Sequence, residues 1–309
     1  MTTFTLTPLG ISAALPAYGR HFSALTLEHP RSGDTLLFDC GEGTQFQLAR
    51  SHVKPSRLRA CFITHLHGDH VFGVPGLINS LALSQPDRAP FLLVGPAGLR
   101  AFIDSLPGTG RWPYDLTINE LEPDTKHAVV YETPHYRVEA RPLDHGVPCF
   151  GYRFAEADRP GPLDAEKAQA LGVPSGPDLG RLKHGEPITT PEGRVVHPED
   201  VVGPAQRGKA FAYVTDTRPC TNGVLLAHDA AAMYHEATYR DEHAQLAQER
   251  GHSTAAQAAQ VACEANASLL LLGHFSARYP HAELTHLRAE ASRIHQNTAT
   301  AEELKPVLV

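Results

Sequence analysis

Short apolar segments recur along the chain and predict β-strands that alternate with α-helices. In the first half, we predict strands over residues 3–10, 22–30, 34–41, 57–66 and 91–96, and helices over residues 41–51, 71–83 and 97–106. In the second half, we predict strands over residues 210–217, 231–238 and 268–276, and a helix over residues 253–266 that Ser253 or Thr254 could cap. Several strands run directly into polar residues, so the pattern predicts an α/β fold with polar loops at its strand ends.

Residues 155–207 differ from the rest of the chain, being dense in proline and glycine and poor in periodic apolar positions. A long segment of this kind inside a compact domain is usually functional or mobile. The alternative is a disordered linker between two domains. We favour an insertion, because the halves on either side need each other's loops to complete one site. The chain is therefore interpreted as one domain, residues 1–309, with an insert at about 155–207.

Composition narrows the class of protein. Hydrophobic residues make up 42% of the chain, which is enough for a packed core. The sequence has no run of about 18 apolar residues, so we predict no membrane span. The N-terminus lacks a basic region followed by an apolar stretch, so we predict no secretory signal. The five cysteines are odd in number and form no CxxC pair, which favours buried free thiols in a reducing compartment, the cytoplasm. The net charge of −7 does not favour nucleic-acid binding, but phosphate affinity depends on local basic charge.

The strongest chemical signal is the sequence THLHGDH at the end of an apolar strand. Imidazole and carboxylate groups are ligands for zinc and similar divalent ions. Alternate residues of an extended segment point the same way, so His65 and His67 can hold one metal. Gly68 then lets the chain turn, so that Asp69 and His70 can reach a second metal. The alternative, a chance histidine cluster on a surface loop, has to be weighed because the chain has 19 histidines.

One loop cannot complete two metal sites, so further ligands should lie at other strand ends. His145 follows a predicted strand in PLDHGVP, Asp216 lies in AYVTDT, and His274 lies in LLLLGHFS. Each of them taken alone would be an ordinary loop residue, but a β-sheet would deliver all three to a common edge. The sequence contains no P-loop and no dinucleotide fingerprint, so we predict no nucleotide cofactor.

Successive motifs along the chain resemble those of the ribonuclease Z family. HLHGDH resembles the HxHxDH signature of the metallo-β-lactamase superfamily, and LFDCGEGTQ, DHGVPCFGYRF, HEAT, GHSTAAQAA and GHFSARY look like motifs of ribonuclease Z. They extend from about residue 36 to residue 279, so the resemblance covers most of the chain. It implies the metallo-β-lactamase αβ/βα four-layer sandwich, in which two mixed sheets pack face to face and a protruding arm leaves from the metal-binding edge.

The resemblance also implies a role for individual residues. It assigns His65, His67 and His145 to one zinc ion, Asp69, His70 and His274 to the other, and Asp216 to both. Asp69 also matches the family's proton acceptor, and His252 with Glu236 matches a pair that transfers a proton to the leaving group. Asp39 matches an acidic residue that orients ligand histidines through hydrogen bonds.

The segment LGVPSGPDLGRLKHGEPI resembles the glycine- and proline-rich arm with which ribonuclease Z grips tRNA. On this resemblance we predict that Gly176, Pro177, Arg181 and Lys183 contact the substrate. Residues 155–200 contain nine acidic and five basic residues, so the expected affinity for tRNA is weak or sensitive to salt.

The resemblance implies an endoribonuclease that uses two zinc ions per subunit, with manganese as the other candidate, to remove the 3′ trailer of precursor tRNA. Its products would be a tRNA 3′-hydroxyl and a trailer with a 5′-phosphate. Members of the family are commonly homodimers, so a homodimer is expected. Three alternatives stay open: another hydrolase on this fold, an exoribonuclease, and an RNA-binding protein without catalytic activity.

Overall fold

The computed structural model describes residues 4–17, 19–85, 89–106 and 114–309. The chain forms two compact units. Unit 1 comprises Met1–Phe154 and Ala210–Val309, and unit 2 comprises Ala155–Lys209. The two halves on either side of unit 2 thus join into one compact unit.

Unit 1 is built on two seven-stranded mixed sheets. The first sheet consists, in spatial order, of β18 (Val307–Leu308), β1 (Thr5–Gly10), β3 (Ala24–His29), β4 (Asp34–Phe38), β5 (Leu58–Phe62), β6 (Phe91–Pro96) and β7 (Leu116–Leu121). The second consists of β17 (Thr298–Thr300), β15 (Leu270–Gly273), β14 (Ala232–Glu236), β13 (Ala210–Val214), β10 (Phe150–Glu156), β9 (Tyr136–Pro142) and β8 (Ala128–Glu132). A short pair joins β2 (Ser12–Ala13) to β16 (Phe275–Ser276).

Helices cover the outer faces of both sheets and also occur in unit 2. In unit 1 they are α1 (Thr44–Arg50), α2 (Gly68–Val71), α3 (Val74–Ser84), α4 (Leu99–Asp104), α8 (Thr221–Ala227), α9 (Ala244–Arg250), α10 (Ala255–Glu264) and α11 (Leu284–Ser292). Unit 2 contains α5 (Ala165–Ala170), α6 (Pro177–Lys183) and α7 (Pro198–Val201). Short 3₁₀ turns lie at Pro55–Arg57, Asp241–His243 and His281–Glu283.

The alternation of side chains along β4 shows how the layers form. Phe38 points into the space between the sheets, where its ring lies 5.4 Å from that of Tyr213 on β13. Leu37, on the opposite face of β4, packs in the cluster beneath α1 and α3. Because successive strand residues face opposite sides, one strand contributes to both apolar layers. The result is the four-layer αβ/βα sandwich that the sequence predicted.

The second sheet carries its own helical layer. Ala258, Ala259 and Ala262 of α10 are fully buried against it. This helix begins at Thr254, whose hydroxyl accepts a hydrogen bond from the Gln257 backbone, while the Gln257 side chain accepts one from the Thr254 backbone. Such a capping box satisfies two amide donors at the start of a helix, and it identifies Thr254, rather than Ser253, as the N-cap.

Unit 2 has secondary structure and an apolar cluster of its own. Besides its helices it contains the hairpin of β11 (Ile188–Thr189) and β12 (Val195–Val196). Its cluster is formed by Ala168, Val173, Leu182, Ile188, Val196 and Val201. The segment thus has secondary structure and a buried apolar cluster despite its many prolines and glycines, unlike the disordered linker that was considered as the alternative.

All five cysteines are free thiols, and Cys40, Cys61 and Cys149 are buried. Cys220 is partly buried and Cys263 is exposed at the end of α10, so the prediction of buried thiols is wrong for Cys263. Within the residues that the structure describes, no helix has the length and apolarity needed to cross a membrane.

Candidate metal centre

The carboxyl ends of parallel strands bring the predicted ligands to one edge of unit 1. His65 follows β5, Asp216 follows β13, and His274 follows β15, and each of these strands is parallel to its neighbour. His145 lies in the loop between β9 and β10. Parallel strands point their carboxyl ends the same way, so residues far apart in the sequence meet at this edge.

Three residues at this edge have a left-handed backbone that is uncommon for side chains other than glycine. The φ angles are 57° at Asp39, 52° at Asp216 and 54° at His274. Each residue directly follows, or lies two residues after, a strand of the parallel sets. Such a conformation costs about 1–3 kcal/mol and clusters at functional sites. The fold thus turns these side chains into the centre at an energetic cost.

The predicted ligands form two adjacent groups of donor atoms. His65, His67 and His145 are one group, with Nε2 of His65 2.9 Å from Nδ1 of His67 and Nε2 of His145 3.3 Å from the same atom. Asp69, His70 and His274 are the other, with the Nε2 atoms of the two histidines 3.2 Å apart. Both groups offer only imidazole and carboxylate donors, which suit zinc, manganese and similar divalent ions.

Asp216 lies between the two groups. Its Oδ2 atom is 3.7 Å from Nε2 of both His65 and His145. Its Oδ1 atom is 3.3 Å from Nε2 of His70 and 3.2 Å from Nε2 of His274. Each carboxylate oxygen therefore faces a different group, which is the arrangement needed to bridge two cations.

The Nδ1 atoms of four histidines are already engaged by hydrogen-bond acceptors outside the centre. The Nδ1 partners are Thr64 Oγ1 for His65 at 3.0 Å, Asp39 Oδ2 for His70 at 2.8 Å, the Gly251 carbonyl for His145 at 2.8 Å and Thr238 Oγ1 for His274 at 3.0 Å. The two threonine hydroxyls donate their own protons to Asp39 and Glu236, so they can only accept from the histidines. Each imidazole thus donates at Nδ1 and presents Nε2 to the centre.

This protonation pattern leaves lone pairs facing one another. When His70 and His274 are neutral, with the proton on Nδ1, their Nε2 atoms at 3.2 Å have no proton to share. Two acceptors at this distance repel each other unless a positive charge lies between them. The chemistry of the donor set therefore fits a cation in each group.

The ionisation of the centre is consistent with this charge requirement. Burial lowers the pKa of His65 well below its ordinary value, and the nearby His70 lowers it further, which favours a neutral donor. Burial opposes ionisation of Asp69 and Asp216, yet the neighbouring His70 and His274 keep the pKa of both carboxyls well below the usual range. Although burial lowers the pKa of His70, Asp216 and Asp69 together raise it well above its ordinary value. The carboxylates thus attract positive charge to the centre.

The Glu236–His252 pair adjoins the centre. Nδ1 of His252 lies 2.9 Å from Oε1 of the fully buried Glu236, and the imidazole ring of His252 lies 4.9 Å from that of His145. Burial lowers the pKa of His252, but the Glu236 carboxylate outweighs it and raises that pKa to about 9. His252 therefore carries a proton at neutral pH.

A cavity of about 390 Å³ opens over the centre and reveals residues that the sequence analysis did not single out. Arg250, Arg278 and Tyr239 line it together with His252. The Arg278 guanidinium lies 5.4 Å from the centre of the Tyr239 ring, a cation–π contact. Arg250 lies two residues before His252, and Arg278 lies four residues after His274. This proximity in the sequence is the signal that could have identified both arginines. They give the cavity positive charge suited to phosphate.

Two other sequence predictions concern backbone geometry. Gly68 was predicted to allow a turn through its conformational freedom, but it has no positive φ and begins α2 instead. That prediction is wrong in its mechanism, because the first turn of α2 brings Asp69 and His70 to the second group.

In unit 2, the four residues predicted to contact the substrate lie at α6. Gly176 precedes this helix with a φ of 153°, Pro177 is its first residue, and Arg181 and Lys183 lie in its last turn.

Comparisons with known proteins place the chain in a family. A family profile described as "Anti-Pycsar protein Apyc1" matches residues 4–100. The chain is 49% identical over 302 residues to ribonuclease Z of Salinibacter ruber, which covers 96% of this chain and 92% of that protein. It is 43% identical to ribonuclease Z of Acaryochloris marina, and this match covers 96% of this chain and 94% of that protein.

Solved structures agree with these sequence matches. The human short-form tRNase Z superposes with a TM-score of 0.71 at 28% identity and covers 98% of each chain. The metallo-β-lactamase fold protein YhfI of Bacillus subtilis superposes with a TM-score of 0.68 at 17% identity, and the match covers 99% of this chain and all of that one. This likeness supports the fold alone. With 49% identity to one ribonuclease Z over nearly its whole length, the chain belongs to the ribonuclease Z family and has the metallo-β-lactamase fold.

Proposed function

We propose that the protein is a zinc-dependent endoribonuclease that removes the 3′ trailer of precursor tRNA, leaving a 3′-hydroxyl on the tRNA and a 5′-phosphate on the trailer. The proposal rests first on membership of the ribonuclease Z family, whose enzymes are hydrolytic phosphodiesterases. The single structural observation that carries it is the set of four imidazole Nε2 atoms around the Asp216 carboxylate, which fits two divalent cations.

We assign His65, His67 and His145 to one zinc ion and Asp69, His70 and His274 to the other, with Asp216 shared. Manganese is the alternative metal, because imidazole and carboxylate ligands accept both. When bound, two such ions activate water near neutral pH and offset the charge of a phosphate in the transition state.

The side chains around the centre would handle the protons. Asp69 lines the cavity, and its Oδ2 atom accepts a hydrogen bond from the Ala14 backbone amide at 2.7 Å, which fixes the orientation of the carboxylate. The family resemblance assigns it the role of proton acceptor. His252, held protonated by Glu236, can donate a proton to the departing 3′-oxygen of the tRNA. Arg250 and Arg278 line the same cavity and would hold the phosphates on either side of the scissile bond.

Three further assignments belong to this proposal. Gly176, Pro177, Arg181 and Lys183 of unit 2 would contact tRNA away from the cleaved bond. A homodimer and a cytoplasmic location follow from the family resemblance and the cysteine pattern. Light scattering of the purified protein tests the first of these two, and imaging of a tagged chain tests the second.

The direct test is cleavage of a precursor tRNA that carries a 3′ trailer. The purified protein is depleted of metal, reloaded with zinc or with manganese, and incubated with the precursor, and both product ends are mapped. His67→Ala removes one predicted ligand, and His286→Ala replaces an exposed histidine of α11 as the matched control. Metal content is measured for every sample.

A single cut near the acceptor end is expected for the wild type and for His286→Ala, with little or no cutting by His67→Ala or the chelated protein. A ladder of product ends would instead indicate an exoribonuclease. Turnover of bis(p-nitrophenyl) phosphate without any cut in the precursor would show that tRNA is not the substrate. Binding of precursor without any turnover would indicate an RNA-binding protein.

A further inference from the structure

A second, smaller pocket adjoins the metal centre. It has a volume of about 130 Å³ and shares the side chain of His67 with the larger cavity. Its walls are Leu66, His67, Pro96, Ala97, Val147 and Pro148. A group that occupies the smaller pocket would therefore lie directly beside the first group of predicted metal ligands.

The walls of this pocket are apolar although they lie next to the histidine and aspartate side chains of the metal centre. Within the described residues that line it, His67 alone has a polar side chain. Val147 is 40% exposed, and Pro148 is also exposed, so apolar surface faces solvent here. Exposed apolar surface beside a catalytic centre indicates a binding site for part of a ligand.

Hydrogen bonds hold both walls in place. The loop that carries Val147 is closed by a hydrogen bond from the Leu143 amide to the Cys149 carbonyl at 2.8 Å. Opposite it, the Ala97 amide donates to the Leu121 carbonyl at 3.0 Å, and the Gly98 amide donates to the Glu120 carboxylate at 2.7 Å. The pocket therefore exists before a ligand arrives, which lowers the entropic cost of binding.

The chemistry of the walls points to the flat face of a nucleobase. Proline rings and aliphatic side chains remove an apolar face from water but offer no donors or acceptors that distinguish one base from another. Base stacking on a protein surface tolerates any sequence, because every base has such a face. A charged phosphate or a ribose, by contrast, would lose hydration in this pocket without compensation.

The position of the proton donor indicates which nucleotide reaches the pocket. The leaving oxygen belongs to the nucleotide upstream of the cut, so that nucleotide must approach His252. His252 lines the larger cavity and is absent from the walls of the smaller pocket. The smaller pocket, reached past His67, is therefore left for the nucleotide on the downstream side.

We propose that the pocket formed by Leu66, Pro96, Ala97, Val147 and Pro148 receives the base of the first trailer nucleotide, without selecting its identity. The inference rests on the proposed function, since it requires cleavage of an RNA that continues beyond the cut. It assigns to these apolar residues the positioning of the scissile phosphate over the metal centre.

The test combines variants of the pocket with substrates that lack one base. Ala97→Leu fills the pocket, and Val147→Ala removes part of one wall. Ala282→Leu and Val129→Ala make the same changes at exposed positions elsewhere in unit 1 and are the matched controls. Precursors carry an abasic ribose at the first trailer nucleotide, at the last tRNA nucleotide, or at neither position. Thermal unfolding and zinc content verify that each variant is folded and loaded.

Removing the first trailer base should lower kcat/KM of the wild type about fivefold to tenfold, the lower end of the effect of one stacked base, because the walls are not aromatic. Ala97→Leu should cause a similar loss with the intact precursor and almost none with the precursor that lacks this base. Val147→Ala should give a smaller loss with the same dependence, and both controls should match the wild type.

Other outcomes would overturn the inference in distinguishable ways. If Ala97→Leu affected both precursors equally, or if only the upstream abasic site removed its effect, the pocket would not hold the first trailer base. If changing this base from purine to pyrimidine lowered kcat/KM as much as removing the base, the pocket would select base identity. If the zinc-loaded wild type failed to cut any precursor, the proposed function would fail and the inference with it.

Discussion

The carboxylate of Asp39 lies 2.8 Å from Nδ1 of His70, with both side chains fully buried. The same carboxylate accepts hydrogen bonds from the Thr64 amide and hydroxyl and from the Tyr213 hydroxyl. It thus connects two neighbouring strand ends, β4 and β5, to β13 of the second sheet. This contact fixes the protonated nitrogen of His70 and orients its ring towards the second group of ligands.

We therefore expect Asp39→Asn to weaken zinc binding about 10-fold to 100-fold, the usual effect of losing a partner of a ligand histidine. The asparagine side chain has only one oxygen for the hydrogen-bond donors that share the two carboxylate oxygens of Asp39. Competition with a chromophoric chelator measures the affinity. Asp124→Asn, an exposed substitution in the turn after β7, serves as the control. Equal zinc affinity in the two variants would show that Asp39 does not orient His70.

A pH profile tests the Glu236–His252 pair. In the proposed mechanism His252 acts in its protonated form, so activity should fall as pH rises through its pKa, which Glu236 raises to about 9 against the effect of burial. Glu236→Gln removes the negative charge, so the basic limb of kcat should move to lower pH by about 1–3 units. The comparison is Glu249→Gln on α9, where the limb should stay in place. A limb that does not move in Glu236→Gln would mean that another group donates the proton.

Charge compensation within unit 2 bears on the proposed contact between α6 and tRNA. Nε of Arg181 lies 3.0 Å from Glu186, and its Nη1 lies 3.3 Å from Asp178, so its charge is largely offset locally. We expect Lys183→Ala to raise KM for the precursor severalfold without changing kcat, and Asp178→Asn combined with Glu186→Gln to lower KM. Both effects should shrink between about 50 and 200 mM salt.

Lys305→Ala, a change to an exposed lysine near the C-terminus, provides the matched control for the α6 variants. Hydrolysis of bis(p-nitrophenyl) phosphate should be the same in all of them, because this substrate is too small to need unit 2. If KM for the precursor stayed constant across the series, α6 would not contact the tRNA.

A glycine behind the metal centre should be intolerant of substitution. A Cβ atom on Gly73 would lie 2.0 Å from the Gly41 carbonyl oxygen and 2.8 Å from that of Cys40, both of which are backbone atoms. Gly73→Ala should therefore lower the free energy of unfolding by about 1–3 kcal/mol or more. Gly223→Ala, in α8, meets only ordinary contacts from 3.6 Å outwards and should be neutral or slightly stabilising. Urea unfolding distinguishes the two, and equal stabilities would contradict the prediction.

The sequence alone was sufficient to predict the strands β1, β3 to β6 and β13 to β15, the fold family and the residue types of the metal centre. Strand periodicity and the residues that end a strand are local properties, so THLHGDH, Asp216 and His274 could be recognised without tertiary information. The motif order along the chain led to the ribonuclease Z family, which the relatives confirm. It also located the Glu236–His252 pair, although neither residue indicates by itself that the other is near.

Tertiary structure alone decided the protonation and the surroundings of that centre. His70 and His274, 204 positions apart, present facing Nε2 atoms only because Asp39 and Thr238 occupy their other nitrogens. The small pocket needs Pro96, at the end of β6, and Pro148, in the loop between β9 and β10, and these two residues follow no common period. The apolar cluster of unit 2 is formed by six scattered residues that follow no periodic pattern. Periodicity reports which face of one element is apolar, whereas hydrogen-bond partners and cavity walls depend on contacts between distant elements, which a linear pattern does not contain.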